Sequence, residues 1–333
     1  MDYDSGSFPG MKSILMKKLN YPLMLLLLFI CSAVWANDSS VGEFNGSIEF
    51  LKQNDVSMAK ERLLIAPDRI NVDYVFINHA AQDVTVPVAF PMPAIYKHGM
   101  EDHSIGIANF KISVDGKPVK SESRWRVIHN LGGKEEEDVT AKVLQNGWTL
   151  PQLRSVFESD ESIEEYKEEG KPPLLPEWFD DGYPNIFIQQ YFIWQQHFPA
   201  GKEVIIHHSY SPSFSTGVPW DLKTIIDTQD TPFPPNVLKA IKKLDADIKN
   251  QSGNEAGIYW GNLAYVLTTG ANWKDGTIGD FTLRIHKRKE NEVMVPEFNY
   301  PLKQIDPLTY EFKQQNFKPT EDLSIMFYSD EFL

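Results

Sequence analysis

Cysteine is almost absent from this chain: Cys31 is the only one in 333 residues, and it lies inside an apolar leader. With the leader removed, disulfides, thiol nucleophiles and thiolate-bound metals are excluded. The sequence has no Gly-x-Ser-x-Gly nucleophile elbow and no His-Glu-x-x-His zinc motif, so no residue pattern names a reaction. Basic residues are in deficit, 32 Lys and Arg against 46 Asp and Glu, for a net charge of −14. Binding phosphate backbones or anionic lipid needs a basic surface, so nucleic acid is disfavoured as a partner and so is electrostatic docking to membranes. Internal repeats and low-complexity tracts are lacking, as is any long apolar run outside the leader.

What is present starts with that leader. Lys12, Lys17 and Lys18 precede an apolar run from Leu23 to Val34, which Val34-Trp35-Ala36 closes. This is the arrangement of a secretory signal peptide, with cleavage predicted between Ala36 and Asn37. An uncleaved anchor would need ~20 apolar residues, whereas this run is shorter and has Pro22 near its start. Lipid attachment at Cys31 is disfavoured by Ile30 before it, where a small residue is wanted. The acidic stretch before the basic region is unusual for a signal peptide, and Met11 and Met16 are alternative starts. Residues 1–36 are thus predicted to be removed, leaving an exported chain, periplasmic or secreted, with no stable membrane span. That chain of about 297 residues carries a net charge of −15 and must be stabilised by its core, for which an aromatic share of 12% supplies material.

The periodicity predicts a mainly β protein. Ile70, Val72, Tyr74 and Phe76 alternate with polar neighbours, and Val84, Val86, Val88 and Phe90 follow after Asn78-His79-Ala80-Ala81-Gln82-Asp83, which reads as a hairpin. Pro87 cannot donate a ladder hydrogen bond, which places its strand at an edge or an irregularity. A second hairpin is expected over 110–119, with Asp115-Gly116 at its tip. Between 138 and 170 the pattern becomes helical, with capping-box spacing at Thr149/Gln152 and Ser162/Glu165. Strands return over 185–212. Residues 217–235 are rich in proline and read as a connector, after which Val237, Leu238, Ile241, Leu244 and Ile248 lie on one side of an amphipathic helix stopped by Ser252-Gly253. Phe281, Leu283 and Ile285 alternate with Thr282, Arg284 and His286, and further short strands follow to the end. The expected organisation is two β-sandwich-like domains, 37–216 with a helical insertion near 138–170 and 236–333 opening with the helix.

Candidate chemistry is sparse. His98-Gly-Met-Glu-Asp-His103 is chemically competent for zinc but lacks the spacing of a zinc motif, and His207-His208 would point to opposite faces of a strand. The aromatic stretch containing Trp178 and Tyr183, with Asp180-Asp181 between them, is a mixture suited to a glycan or a partner protein. Thr268-Thr269-Gly270-Ala271-Asn272-Trp273 resembles a binding loop, although Trp273 as a core anchor and Gly270 with a positive backbone torsion would explain it structurally. No cofactor motif is present.

Val72-Asp-Tyr-Val-Phe-Ile-Asn78, Val88-Ala-Phe-Pro-Met-Pro93, Phe198-Pro-Ala-Gly-Lys202, Leu267-Thr-Thr-Gly-Ala-Asn-Trp273 and Asn316-Phe-Lys-Pro-Thr-Glu-Asp-Leu323 together resemble the exported bacterial proteins grouped as domain of unknown function 4424. That resemblance implies export and attaches no reaction. The first half is also similar in layout to vault/inter-alpha-trypsin-inhibitor domains, which are β-sandwich interaction modules, a likeness that bears on fold and not on function. The expectation is a non-catalytic binding or structural protein of the bacterial cell envelope, with an envelope protein or a glycan as partner. The alternative is an envelope hydrolase acting on glycan or peptide.

Overall fold

The computed structural model describes residues 40–44, 47–51, 53–96, 106–107, 109–129, 137–158, 178–180, 183–213, 215–229 and 231–331. The first half contains β1 (Ser40–Phe44), β2 (Ser47–Leu51), β3 (Val56–Ala66), β4 (Arg69–Asn78), β5 (Val84–Pro91), β6 (Ile95–Tyr96), β7 (Lys111–Val114), β8 (Lys117–Val119), β9 (Glu122–His129) and β10 (Glu137–Asp138). Helices α1 (Thr140–Gln145) and α2 (Leu150–Glu158) come next, then β11 (Phe179–Asp180), β12 (Tyr183–Pro184), β13 (Ile186–Phe198), β14 (Glu203–Tyr210) and β15 (Ser215–Thr216). The remainder holds α3 (Leu222–Asp227), α4 (Pro235–Ser252), β16 (Tyr259–Tyr265), β17 (Ile278–His286), β18 (Val293–Glu297), β19 (Lys303–Gln304), β20 (Thr309–Phe317) and β21 (Leu323–Ser329). The protein is mainly β, as its alternation predicts.

One sheet organises the rest. Its eight strands run β19-β20-β17-β3-β4-β14-β7-β8, antiparallel except for the parallel pairing of β3 with β17. Its inner face carries Leu63 and Ile65, Val72, Tyr74 and Phe76, Val204 and Ile206, and Phe281, Leu283 and Ile285. Two smaller sheets share the core on that face. The seven-stranded sheet, β10-β9-β13-β5-β1-β2 with β6 beside β13, contributes Phe90, Phe192, Trp194 and Phe198, and the four-stranded sheet, β15-β16-β21-β18, contributes Leu263, Tyr265, Ile325 and Phe327. Burying each such side chain is worth roughly 1.5–3 kcal/mol relative to exposure, so this shared core dominates stability. Helices cover the other faces: α1 and α2 place Val143, Leu153 and Phe157 against Val127, Ile186 and Ile188, while α3 and α4 place Ile225, Ile241, Leu244 and Ile248 against Trp260, Val293 and Tyr328.

This layout corrects two expectations. Residues 37–216 and 236–333 are not separate bodies, because β3 from the first pairs with β17 from the second along Met58–Ile65 and Ile278–Ile285 in one continuous sheet. A Pro-rich connector marked a boundary in composition, but long-range strand pairing is not visible there. The hairpin over 70–90 is likewise a corner and not a hairpin. β4 pairs with β3 and β14 in the eight-stranded sheet, whereas β5 pairs with β13 in the seven-stranded one. The turn chemistry is the same in either case, which is why local pattern cannot separate them.

Asn78 builds that corner. It is fully buried; its Nδ2 donates to the carbonyls of Gln82 (2.9 Å) and Phe198 (2.8 Å), and its Oδ1 accepts from the Ala80 N–H (2.9 Å). The chain crosses back between the same two sheets at 199–202, where the Gly201 N–H donates to the Asn78 carbonyl (2.9 Å) and the Ala200 N–H to the Asp83 carboxylate (2.9 Å). Asn78→Ala removes three hydrogen bonds, that to the Phe198 carbonyl fully buried, and is expected to cost on the order of 2 kcal/mol. An unchanged urea midpoint would show that the paired corners do not depend on this side chain.

Other local signals match, while the expected Ser162/Glu165 capping box lies outside the described residues. β7 and β8 form the expected hairpin, with Asp115 at φ 48° and Gly116 at φ 76°, the positive pair that a type I′ turn requires. Thr149 and Gln152 form the capping box: the Thr149 N–H donates to Gln152 Oε1 (2.9 Å) and the Gln152 N–H to Thr149 Oγ1 (3.3 Å). Gly253 ends α4 at φ 95°. Pro87's strand β5 is not an edge strand, lying between β13 and β1, although among the described residues β1 pairs with it at one position, Ser40↔Val88. No helix among the described residues is long and apolar enough to cross a membrane.

Candidate functional site

The outer face of the eight-stranded sheet is built by the same alternation that builds the core. Between core residues, β3 turns Arg62 and Leu64 outward, β4 Asn71 and Asp73, β17 Asp280, Thr282 and Arg284, and β20 Glu311 and Lys313. Register aligns them into rows across five strands. One row reads His207, Asp73, Arg62, Thr282 and Lys313; the next reads Ser209, Asn71, Leu64, Arg284 and Glu311. These strands floor an open groove of about 610 Å³.

Ion pairs hold the side chains of this face in place. Arg62 donates to the Asp280 carbonyl (2.7 Å) and the Glu61 carbonyl (3.2 Å) and pairs with the Asp280 carboxylate. The Arg62 hydrogen bond holds the Asp280 carboxyl below its ordinary range. Glu311 bridges two cations, accepting from Arg284 Nε (2.9 Å) and lying 2.9 Å from Lys313 Nζ, and its carboxyl is lowered chiefly by the Lys313 bond. His207 Nδ1 lies 2.7 Å from Asp73 Oδ1. Exposed pairs of this kind contribute little to folding, typically about 0–1 kcal/mol each. Their effect is to position charge. At the centre lies Thr282, 3% exposed, whose hydroxyl has no hydrogen-bond partner.

A second set of polar groups is sealed inside the core. The bulge in β3 between Met58 and Lys60 shifts the alternation by one residue, so Glu61 faces inward at 3% exposure. Burial pushes its carboxyl up to about 8, partly offset by a hydrogen bond from Tyr265, whose own hydroxyl lies 3.1 Å from that of Tyr74. Burial likewise drives the Tyr265 and Tyr210 hydroxyls well above their ordinary range. His208 is fully enclosed by Phe90, Phe110, Trp194 and Tyr74 at ring-centroid distances of 4.6, 5.1, 5.3 and 5.4 Å. Neither of its ring nitrogens has a partner, and burial lowers its pKa to about 3. These are the most perturbed groups of the described chain, and all are closed to solvent.

The residues singled out from sequence are not brought together. Trp273 is fully buried, its ring 4.3 Å from Phe76 and 5.8 Å from Phe198, and Asn272 is buried with its carbonyl accepting from the Gln53 N–H (2.8 Å). The segment Thr268–Asn272 is a 3₁₀ turn pinned by Asp322, which accepts from Leu267 N–H (2.9 Å), Thr268 N–H (3.0 Å) and Thr268 Oγ1 (2.7 Å). Gly270 does not take a positive φ, contrary to expectation. It is required by close approach, since a Cβ there would meet Ile278 Cγ1 at 2.8 Å. Trp178 is buried in the separate cluster under α1 and α2, and Tyr183 lies on the short strand β12. His207 and His208 point to opposite faces, as the alternation predicts. His98, His103, Ala36 and Asn37 lie outside the described residues. Sequence reading missed Thr282, Arg62, Arg284 and Lys313 as a group, although the alternation over 281–286 already turned Thr282 and Arg284 to one side.

The family profile of Domain of unknown function (DUF4424) matches residues 36–326. The chain belongs to this family. No functionally curated protein matches the sequence. Among solved structures, this DUF4424 chain is similar to a candidate nutrient-binding protein from Legionella pneumophila, at 16% identity and TM-score 0.41, over 83% of this chain and 68% of that one. It is also similar to an M1 zinc metallopeptidase from Deinococcus radiodurans, at 10% identity and TM-score 0.26, over 84% of this chain. It spans only 43% of that enzyme's length. Among the described residues of the DUF4424 chain, no three His, Cys, Asp or Glu side chains gather where they could hold a metal ion.

Proposed function

We propose that this protein is an exported, non-catalytic binding protein of the bacterial cell envelope that engages an envelope glycan or protein through the outer face of the eight-stranded sheet. The observation that carries the reading is the rigid, open, ion-paired groove around Thr282, which presents pre-positioned charge on a sheet floor rather than on mobile loops. Catalysis needs a titratable group within reach of substrate. The strongly perturbed groups, Glu61 and His208, are both enclosed in the core, and the titratable pair on the outer face, His207 and Asp73, is bonded to itself. Export is supported by the basic-then-apolar leader and by a family match that begins at residue 36. The net charge of −14 speaks against nucleic acid.

The test has two parts. Fractionation and N-terminal sequencing should find a soluble exported species starting at Asn37. That species should co-sediment with isolated envelopes, and Arg62→Glu with Lys313→Glu should reduce retention about tenfold, the equivalent of losing one good charged contact. Reversing Lys239 and Lys242 on α4 should leave it unchanged. Full-length protein found only in the membrane pellet, or equal retention in both double variants, would overturn the reading.

A further inference from the structure

We infer that Thr282 is the floor of an oxyanion subsite, taking a phosphate or carboxylate group of the bound ligand; this rests on the outer face being the binding surface. A guanidinium has five N–H donors and an ammonium three. Arg62 uses three of its donors on Asp280 and the Glu61 carbonyl, Arg284 uses one on Glu311, and Lys313 one on the same carboxylate. Donors therefore remain on all three cations. Arg62 and Lys313 flank Thr282 on the neighbouring strands, and Arg284 follows two residues along β17 on the same face.

The hydroxyl completes the pattern. Thr282 is 3% exposed and its Oγ1 has no partner, although buried polar atoms are nearly always satisfied. A hydroxyl left unpaired beneath three cations is a donor waiting for an acceptor, and an oxyanion supplies one with several lone pairs. Charge favours the same ligand. The face carries Arg62, Arg284 and Lys313 against Asp73, Asp280 and Glu311, a local balance of zero on a chain of −14. Glu311 bonds both Arg284 and Lys313 and fixes these two cations beside Thr282's strand. Charge-assisted bonds from such a cluster are about twice as strong as neutral ones.

Titrating the mature protein with inorganic phosphate and, separately, with citrate, followed by calorimetry, tests this. Saturable binding in the millimolar range or tighter is expected, and the tighter arm identifies the source as phosphate or carboxylate. Thr282→Val, nearly isosteric, should weaken binding about tenfold, while Thr282→Ser retains it and Lys239→Gln leaves it unchanged. A urea midpoint for each variant separates loss of binding from loss of fold. Absence of saturable binding in both arms, or equal affinity in wild type and Thr282→Val, overturns the subsite. If no oxyanion binds while Arg62→Glu with Lys313→Glu still abolishes envelope retention, the subsite fails and the binding face stands. If retention is also indifferent to those charges, both fail.

Discussion

Trp273→Ala should lower the unfolding free energy by ~3–5 kcal/mol, the range for deleting a large buried aromatic. The indole is fully enclosed, and it packs against Phe76 of β4 and Phe198 at the end of β13. It therefore ties the 3₁₀ turn to both of the larger sheets at once. The surrounding strands are held by ladder hydrogen bonds and cannot close the cavity. Gly270→Val should destabilise for a different reason, because its Cβ would meet Ile278 Cγ1 at 2.8 Å and Pro319 Cγ at 3.3 Å. Urea titration of both variants, with the emission maximum of Trp273 in a background where it can be isolated, provides the check. A wild-type midpoint together with water-exposed emission would return this loop to candidacy as a binding site.

Local structure was legible wherever one residue or a short period dictates it. The turn at Asp115-Gly116, the Thr149 capping box, the Gly253 stop and the alternation of β4 and β17 follow from backbone torsion, capping and burial of one face. Partner choice was not legible. Asn78-His79-Ala80-Ala81-Gln82-Asp83 has the composition of a turn whether the next strand folds back on the same sheet or crosses to another, and the difference is made by Phe198, which lies 120 residues from Asn78. The parallel pairing of β3 with β17 spans the apparent domain boundary for the same reason. The proposed binding face was half legible, because alternation shows which residues share a side but not which strands lie together. Arg62, Thr282 and Lys313 become a group only through register. Glu61 was hidden by the bulge at Met58/Lys60, which sends inward a residue type that composition assigns to the surface.

Glu61 and His208 should give the protein a stability maximum in mildly acidic solution, and Glu61→Gln should remove its alkaline side. The Glu61 carboxyl rises from 4.5 to about 8 on folding, so between those values the folded state holds a proton that the unfolded chain has released. The contribution of this group is fully present below 4.5 and is lost as pH rises to about 8, on the order of 3–5 kcal/mol across the window for a group this deeply buried. His208 acts in the opposite sense. Its pKa falls from 6.5 to about 3, so the unfolded chain takes up the proton first, and stability present above 6.5 is lost as pH falls towards 3. The two slopes oppose each other between 4.5 and 6.5, where the optimum from this pair lies. Glu61→Gln keeps a hydrogen-bonding group beside Tyr265 without a titratable proton, so its urea midpoint should exceed that of wild type at pH 8 and match it near pH 4.5. His208→Phe should fill the same ring cage and flatten the acid limb. Parallel stability profiles of wild type and Glu61→Gln between pH 4.5 and 8 would mean that Glu61 ionises in the folded core. The bulge in β3 would then have to admit water to the carboxylate.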